Sequence, residues 1–161
     1  MSTLEFTKTA AADLAATYST PDMVAQRQAV LNLIGLQPGE RVIDIGSGPG
    51  FLCESMAEEV GPEGAVLGID ISPDLVKLCR DRNPHAHLTY AEEDALALSA
   101  DSGSFDAAVC TQVAEYISDT AGVLTEMFRV LRPGGRVLVM ATDWDCVAWY
   151  SEHPKRMQRI L

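Results

Sequence analysis

Arg41-Val42-Ile43-Asp44-Ile45-Gly46-Ser47-Gly48-Pro49-Gly50 is the stretch from which the fold can be read. Val42, Ile43 and Ile45 are β-branched and bounded by turn residues, as expected of a strand buried on both faces of a parallel sheet. Gly46 and Gly48 allow a sharp turn and a close approach of backbone to ligand. Pro49 suits the first turn of a following helix, where its missing N–H is not needed. Strand, acid, glycine turn and helix, in that order, place a ligand over a helix N-terminus at the carboxyl end of the first strand.

Two features of this stretch narrow the ligand. The glycines at 46, 48 and 50 form G-x-G-x-G rather than the dinucleotide pattern G-x-G-x-x-G. Asp44, just before the turn, would repel a pyrophosphate and attract a cationic group. S-adenosylmethionine (SAM) carries an α-ammonium and a sulfonium and no phosphate. The run from Val42 to Gly50 resembles the first motif of the class I SAM-dependent methyltransferases.

Toward the C-terminus, Phe51 to Val60 is expected to form a crossover helix closed by Gly61-Pro62. Ala65 to Ile69 reads as the second strand, with Asp70 at its carboxyl end. Asp70 follows Gly50 by 20 residues, the distance at which a βαβ unit presents an acid to a ribose. Its carboxylate can accept hydrogen bonds from both ribose hydroxyls. Ser72-Pro73 caps a helix over Asp74 to Arg82, and His87 to Tyr90 reads as a third strand. The fourth strand is Ser104 to Cys110, after which Thr111 to Tyr116 leaves at the topological switch. Asp119 can cap a helix with Val123, Leu124, Met127, Phe128 and Leu131 on one face. Arg132-Pro133-Gly134-Gly135 ends that helix, and Arg136 to Ala141 is the fifth strand.

Toward the N-terminus, Pro38-Gly39 turns the chain into the first strand. The helix before it begins at Thr20-Pro21, carries apolar residues at helical spacing from Met23 to Ile34, and stops at Gly35. An Ala-rich helix is expected over Leu4 to Tyr18.

The helix, Leu-Arg-Pro-Gly-Gly and strand run near residue 131 strongly resembles the matching segment of class I small-molecule methyltransferases, in the ubiquinone/menaquinone-methyltransferase branch. The resemblance spans residues 21–142 and implies an α/β, doubly wound, Rossmann-like parallel sheet. It divides the chain into an N-terminal helical cap at 1–40, a core at 41–142, and an aromatic loop with a partial helix at 143–161. It implies SAM as cofactor, with Asp44 on the ammonium, Gly46, Ser47, Gly48 and Gly50 around the methionine part, and Asp70 and Ile71 at the ribose. Asp94 and Ala95 match the loop that faces adenine, although Glu92 and Glu93 are adjacent and the register can slip by one. Gln112 matches a contact to cofactor or acceptor. The class usually adds two strands after the fifth, one of them antiparallel. That final hairpin is missing here, so the chain is expected to be an incomplete catalytic unit that self-associates through its fifth strand or C-terminal segment.

At 161 residues the chain is long enough for one domain. Its formal net charge of −11 argues against nucleic acid as a partner, because phosphate binding needs a basic footprint. Residues 1–20 hold no apolar run of signal-peptide length, and no later run could span a bilayer. Cys53, Cys79, Cys110 and Cys146 occur singly, which reads as small buried hydrophobes in a reducing cytoplasm rather than disulfides or a metal site.

Methyl transfer from a sulfonium is an in-line displacement in which the protein mainly positions the reactants and excludes water. If a small-molecule acceptor must lose a proton at O or C, Glu115, Asp143, Asp145 and His153 are the candidate bases, none with a partner visible in sequence. Trp144, Trp149 and Tyr150 either line an acceptor pocket or cover the sheet end. The alternatives are a SAM-binding module without turnover and a nicotinamide oxidoreductase, the latter opposed by the glycine spacing and Asp44.

Overall fold

β1 (Arg41–Ile45) lies at the centre of a five-stranded sheet, with β2 (Ala65–Asp70) on one side and β4 (Phe105–Thr111) on the other. The structure, a computed structural model, describes residues 18–142. Among the described residues β3 (Leu88–Glu92) forms the outer edge beyond β2, and β5 (Leu131–Met140) the outer edge beyond β4. All pairings are parallel, in the order β3-β2-β1-β4-β5. The chain winds outward from β1 to β3 and then crosses to β4, so the switch point falls between β1 and β4.

The period-two alternation of the strands sorts the core into two layers. Val42, Val66, Ala107 and Val109 face one side, against α1 (Pro21–Ile34), α2 (Phe51–Val60) and α3 (Pro73–Arg82). Ile43, Ile45, Ile69, Ala108 and Cys110 face the other, against α4 (Thr120–Val130) and the chain around Leu98. Both faces of β1 are closed to solvent, which is why it reads as a continuous apolar run broken only by Asp44.

Most helix boundaries follow the local chemistry. Gly35 ends α1 in the left-handed region at φ +59° and returns its N–H to Leu31 O. Ser72 caps α3 by accepting from Leu75 N, and Asp119 caps α4 by accepting from Gly122 N. Thr20 sits at the N-cap position of α1 without capping it through its side chain.

Several expectations are corrected. Pro49 is not in the first helical turn: it lies in a turn closed by Gly50 N donating to Ser47 O, and α2 starts after Gly50. In α4 the buried stripe is Val123, Met127 and Val130, while Phe128 is 65% exposed. β5 starts at Leu131 rather than Arg136, because Leu131 already pairs with Phe105 before a bulge carries the chain through Gly134 (φ +84°) to Arg136 opposite Ala107.

That bulge aims two arginines at the lower end of the sheet. Arg136 donates to both oxygens of Glu40, at 3.0 and 2.6 Å, and through Nε to Ile34 O at the end of α1. Arg132 pairs with Asp106, whose other oxygen accepts from Arg41 N at 2.7 Å. α1 is thereby tied to β1 and β5 at the end of the sheet opposite the glycine turn.

Candidate cofactor site

The glycine turn sits above the carboxyl end of β1, and its shape is fixed from several directions. Gly46 N and Ser47 N both donate to Ile69 O on β2. Gly48 N donates to Asp70 Oδ2 and Ser72 N to Asp70 Oδ1, each at 2.9 Å. From below, Cys79 donates to Gly48 O and Tyr90 to Gly50 O, and Arg82 donates to Pro49 O.

The glycines have different reasons for being glycine. Gly46, Gly48 and Gly50 all have positive φ, at +73°, +53° and +80°. A Cβ on Gly46 would overlap the Val113 side chain. One on Gly50 would stand 2.6 Å from the Tyr90 hydroxyl and 2.8 Å from Cys79 Sγ, so its lack of a side chain serves core packing. A Cβ on Gly48 would meet no protein atom within 4 Å.

Beside this loop, at the switch point, lies an open cleft of about 440 Å³. Its floor is Asp44, Gly46 and Ser47, with Thr111 and Gln112 at the end of β4 and Met140 at the end of β5. The opposite wall comes from Tyr18 and from Met23, Arg27 and Val30 of α1, with Phe51 at the start of α2.

Asp44 is 1% exposed because the alternation of β1 turns it toward α2. Its Oδ2 accepts from the Cys53 thiol at 3.1 Å, while Oδ1 is buried without a hydrogen-bond partner. Burial, with the nearby Asp70 adding to it, pushes Asp44 up to about 7 against the thiol's opposing pull. Ser47 Oγ, at 8% residue exposure, is likewise unpartnered. Buried polar atoms left unpaired carry a cost that a ligand can relieve. A carboxylate oxygen and a hydroxyl facing one cleft, beneath a helix N-terminus with no side-chain cap, fit the ammonium end of an α-amino acid.

A family profile described as "Methyltransferase domain" matches residues 43–139, from β1 through β5. The chain belongs to this methyltransferase-domain family. Its class is the class I, SAM-dependent one, and the family's cofactor is S-adenosyl-L-methionine. Among curated relatives, an uncharacterized 37.1 kDa protein in transposon TN4556 of Streptomyces fradiae is 37% identical over 120 residues, 74% of this chain and 35% of that protein. A ubiquinone/menaquinone biosynthesis C-methyltransferase of Teredinibacter turnerae is 35% identical over 118 residues, 71% of this chain and 47% of that protein. The solved phosphoethanolamine N-methyltransferase 2 of Haemonchus contortus, in complex with SAM, superposes with a TM-score of 0.76 at 27% identity, covering 84% of this chain and 33% of that one. The chain thus spans about a third to a half of the length of these relatives.

Against this methyltransferase frame, the expected site residues separate into groups. Asp44, Gly46, Ser47 and Gln112 come together in the cleft. Asp70 is adjacent through Gly48, but both its oxygens already accept backbone N–H groups. Ile71 is 68% exposed beside it. Asp94 lies past the end of β3, exposed, with Oδ1 accepting from Leu96 N at 2.9 Å, and Ala95 packs against the α4 layer. Glu93 is bound to Ser99 and Glu92 belongs to β3, so among the three neighbouring acids Asp94 is the one in the loop with an oxygen to spare. Gln112 has φ +57°, a left-handed conformation uncommon for its type, and its side chain accepts from Thr142 Oγ1 at 2.7 Å. Glu115 accepts from Thr142 N through Oε1 and buries an unpartnered Oε2. Asp143, Asp145, His153 and the tryptophans at 144 and 149 lie outside the described residues, as do residues 1–17 and Tyr150.

Three groups in or beside the cleft had no signal in sequence. Arg27 donates to Tyr18 O at 2.6 Å and stands 5.3 Å from the Phe51 ring, which Arg82 covers from 4.4 Å. Tyr18 is half-buried, and burial together with Tyr116, Asp44, Asp70 and Glu115 raises its hydroxyl above the usual range. Cys53 is a hydrogen-bond donor to Asp44 rather than a plain buried hydrophobe. Among the described residues no His/Cys/Asp/Glu group has the arrangement of a metal site, and no helix is long and apolar enough to cross a membrane.

Proposed function

We propose that this domain binds SAM in the cleft between β1 and β4 and transfers its methyl group to a small-molecule acceptor at O or C. The observation that carries the reading is the buried, unpaired Asp44 Oδ1 beside the unpaired Ser47 hydroxyl. Asp44 takes the α-ammonium, and Ser47 with Arg27 takes the carboxylate. Gly48 admits the methionine chain, Gly46 brings the backbone to it while leaving room for Val113, and Gly50 holds the turn against the core. Asp70 meets the ribose with its remaining lone pairs beside Ile71, and Asp94 with Ala95 meets the adenine.

Bound SAM supplies an electrophilic methyl group on a sulfonium. The chain's own share is placement and exclusion of water. Gln112, its backbone held by Met140 O and its side chain by Thr142, orients a group at the acceptor side. Glu115 is the candidate base among the described residues, because its Oε2 is buried and unpaired beside that wall. Asp143, Asp145 and His153 remain candidates for the same role from the segment that follows. A carbon acceptor is supported by the relative of 35% identity, and the nitrogen acceptor named for the Haemonchus enzyme is the competing outcome. We place the protein in the cytoplasm, without membrane or nucleic-acid partners, on its charge of −11 and its free buried thiols. Self-association through β5 is supported by its place at the sheet edge with Val139 41% exposed, and sedimentation at micromolar concentration tests it.

Calorimetric titration with SAM and with NAD tests the cofactor, SAM alone being expected to bind. Turnover of labelled SAM against a panel of phenols, enols and amines tests the reaction. Binding of SAM with no turnover on any acceptor would make the domain a binding module.

A further inference from the structure

Cys53 and Asp44 are both buried to 1% exposure or less, and the thiol reaches the carboxylate across the gap between α2 and β1 at 3.1 Å. A plain packing role would be filled by alanine or valine, and neither could donate to Asp44. The direction of the bond is settled by chemistry: burial and the neighbouring carboxylate hold the Cys53 proton on sulfur, so sulfur donates and Asp44 accepts. One carboxylate oxygen is thereby engaged from below and the other, Oδ1, is left unpaired in the group that lines the cleft. A thiol is a weak donor, so it steers the carboxylate without neutralising it.

We propose that Cys53 is a positioning residue for the cofactor site: its thiol fixes Asp44 by Oδ2 so that Oδ1 is presented, charged, to the ligand's α-ammonium. The inference rests on the SAM reading above. The remaining ionisable groups around Asp44 are Asp70 from β2, Cys79 from α3, Cys110 from β4 and Tyr18 ahead of α1, with Arg27 of α1 across the cleft. Among the ionisable groups of the described residues, Cys53 is the one hydrogen-bonded to the carboxylate.

Removal of the thiol leaves both oxygens buried and unpaired, which favours the protonated acid. Cys53→Ala should therefore move the titration of the Asp44 carboxyl carbon, followed by NMR in the ligand-free protein, upward by about one pH unit. At neutral pH it should weaken SAM binding about fivefold while leaving 5′-methylthioadenosine, which has no amino-acid end, unaffected. Cys53→Ser, which restores a donor, should recover most of both effects. In an Asp44→Asn background, Cys53→Ala should make no further difference to SAM.

An unshifted Asp44 titration in Cys53→Ala overturns the proposal even if SAM binds normally to the unaltered chain. Equal weakening toward SAM and methylthioadenosine also overturns it, because a general loss of packing would do that. Should the unaltered chain fail to bind SAM, the functional reading falls and the proposal with it. Should Cys53→Ala not fold, Cys53→Val against Cys53→Ser in the same titration decides the matter.

Discussion

Asp70 and Gly48 are joined across the first two strand–helix connections, the Gly48 N–H donating to Asp70 Oδ2 at 2.9 Å. The other oxygen of the same carboxylate holds Ser72 N. One side chain therefore sets the glycine turn and the start of α3 relative to each other.

Asp70→Ala removes both bonds and should lower stability by about 2–3 kcal/mol, each hydrogen bond to a charged group contributing on the order of 1.5 kcal/mol. SAM affinity should fall about 10- to 100-fold on the same scale. Asp70→Asn keeps one acceptor and should show roughly half the loss. Urea denaturation and calorimetry measure the two quantities, and an Asp70→Ala protein unchanged in both would remove Asp70 from the site and the loop alike.

Gly48→Ala and Gly50→Ala should part company. At Gly50 the new Cβ is driven into Tyr90 and Cys79 as well as into a left-handed backbone, a loss of about 3 kcal/mol or more in stability. At Gly48 the space is open and the backbone cost is about 1 kcal/mol, so the damage should fall on SAM binding. Denaturation midpoints that are equal for the two variants would contradict this division.

If Asp44 meets the ammonium as proposed, SAM affinity should depend on pH. Below about 7 the acid is protonated in the ligand-free protein, so affinity should drop tenfold per pH unit there, with a proton released on binding. Above about 8 the ligand's own α-ammonium loses its proton, so the profile should be bell-shaped. The linkage to stability has the opposite slope. A folded-state value raised above the unfolded one adds stability at low pH that is lost as pH rises through about 7. Asp44→Asn should accordingly stabilise the ligand-free protein at pH 8, by an amount on the order of 2 kcal/mol. A flat affinity profile between pH 5 and 8 would show that Asp44 does not meet the ammonium.

Glu40 is held below the usual carboxylate range by Arg136. Its contribution is present above the unfolded value near 4 and lost as pH falls through the lower folded one. Because the arginine is partly exposed, Arg136→Met should cost only about 1–2 kcal/mol. The loss should shrink in acid, as seen by denaturation at pH 3 against pH 7.

The parallel sheet and the succession of its strands along the chain were legible because each strand of the core is a short apolar run ending in punctuation. Val42 to Ile45 before Gly46, and Ala65 to Ile69 before Asp70, leave little choice of element. The acid at 44 and the glycine loop were legible for the same reason. Phe128 misled because a helical stripe in sequence does not reveal how wide the buried face is, and α4 covers the sheet with Val123, Met127 and Val130, with Leu124 packing at the margin. The start of β5 was missed because Pro133 and the two glycines suggest a break, whereas the chain bulges and resumes the same pairing. Arg27, Tyr18 and Cys53 were invisible because their roles depend on contacts between elements. A single arginine on α1, or a cysteine on α2, carries no local pattern to mark it.

The bonds that shape the glycine turn come from Asp70, Cys79, Arg82 and Tyr90, all on β2, α3 and β3. The rest of the cleft comes from α1, facing the turn, and from the ends of β4 and β5 beside it. Among the described residues that side meets the turn by packing, Val113 against Gly46, and not by these hydrogen bonds. On the reading proposed above, residues 111–116 can therefore be rewritten to suit a new methyl acceptor while the turn, with Arg27 kept on α1, still grips the donor, and one nucleoside-sulfonium handle can serve many chemistries.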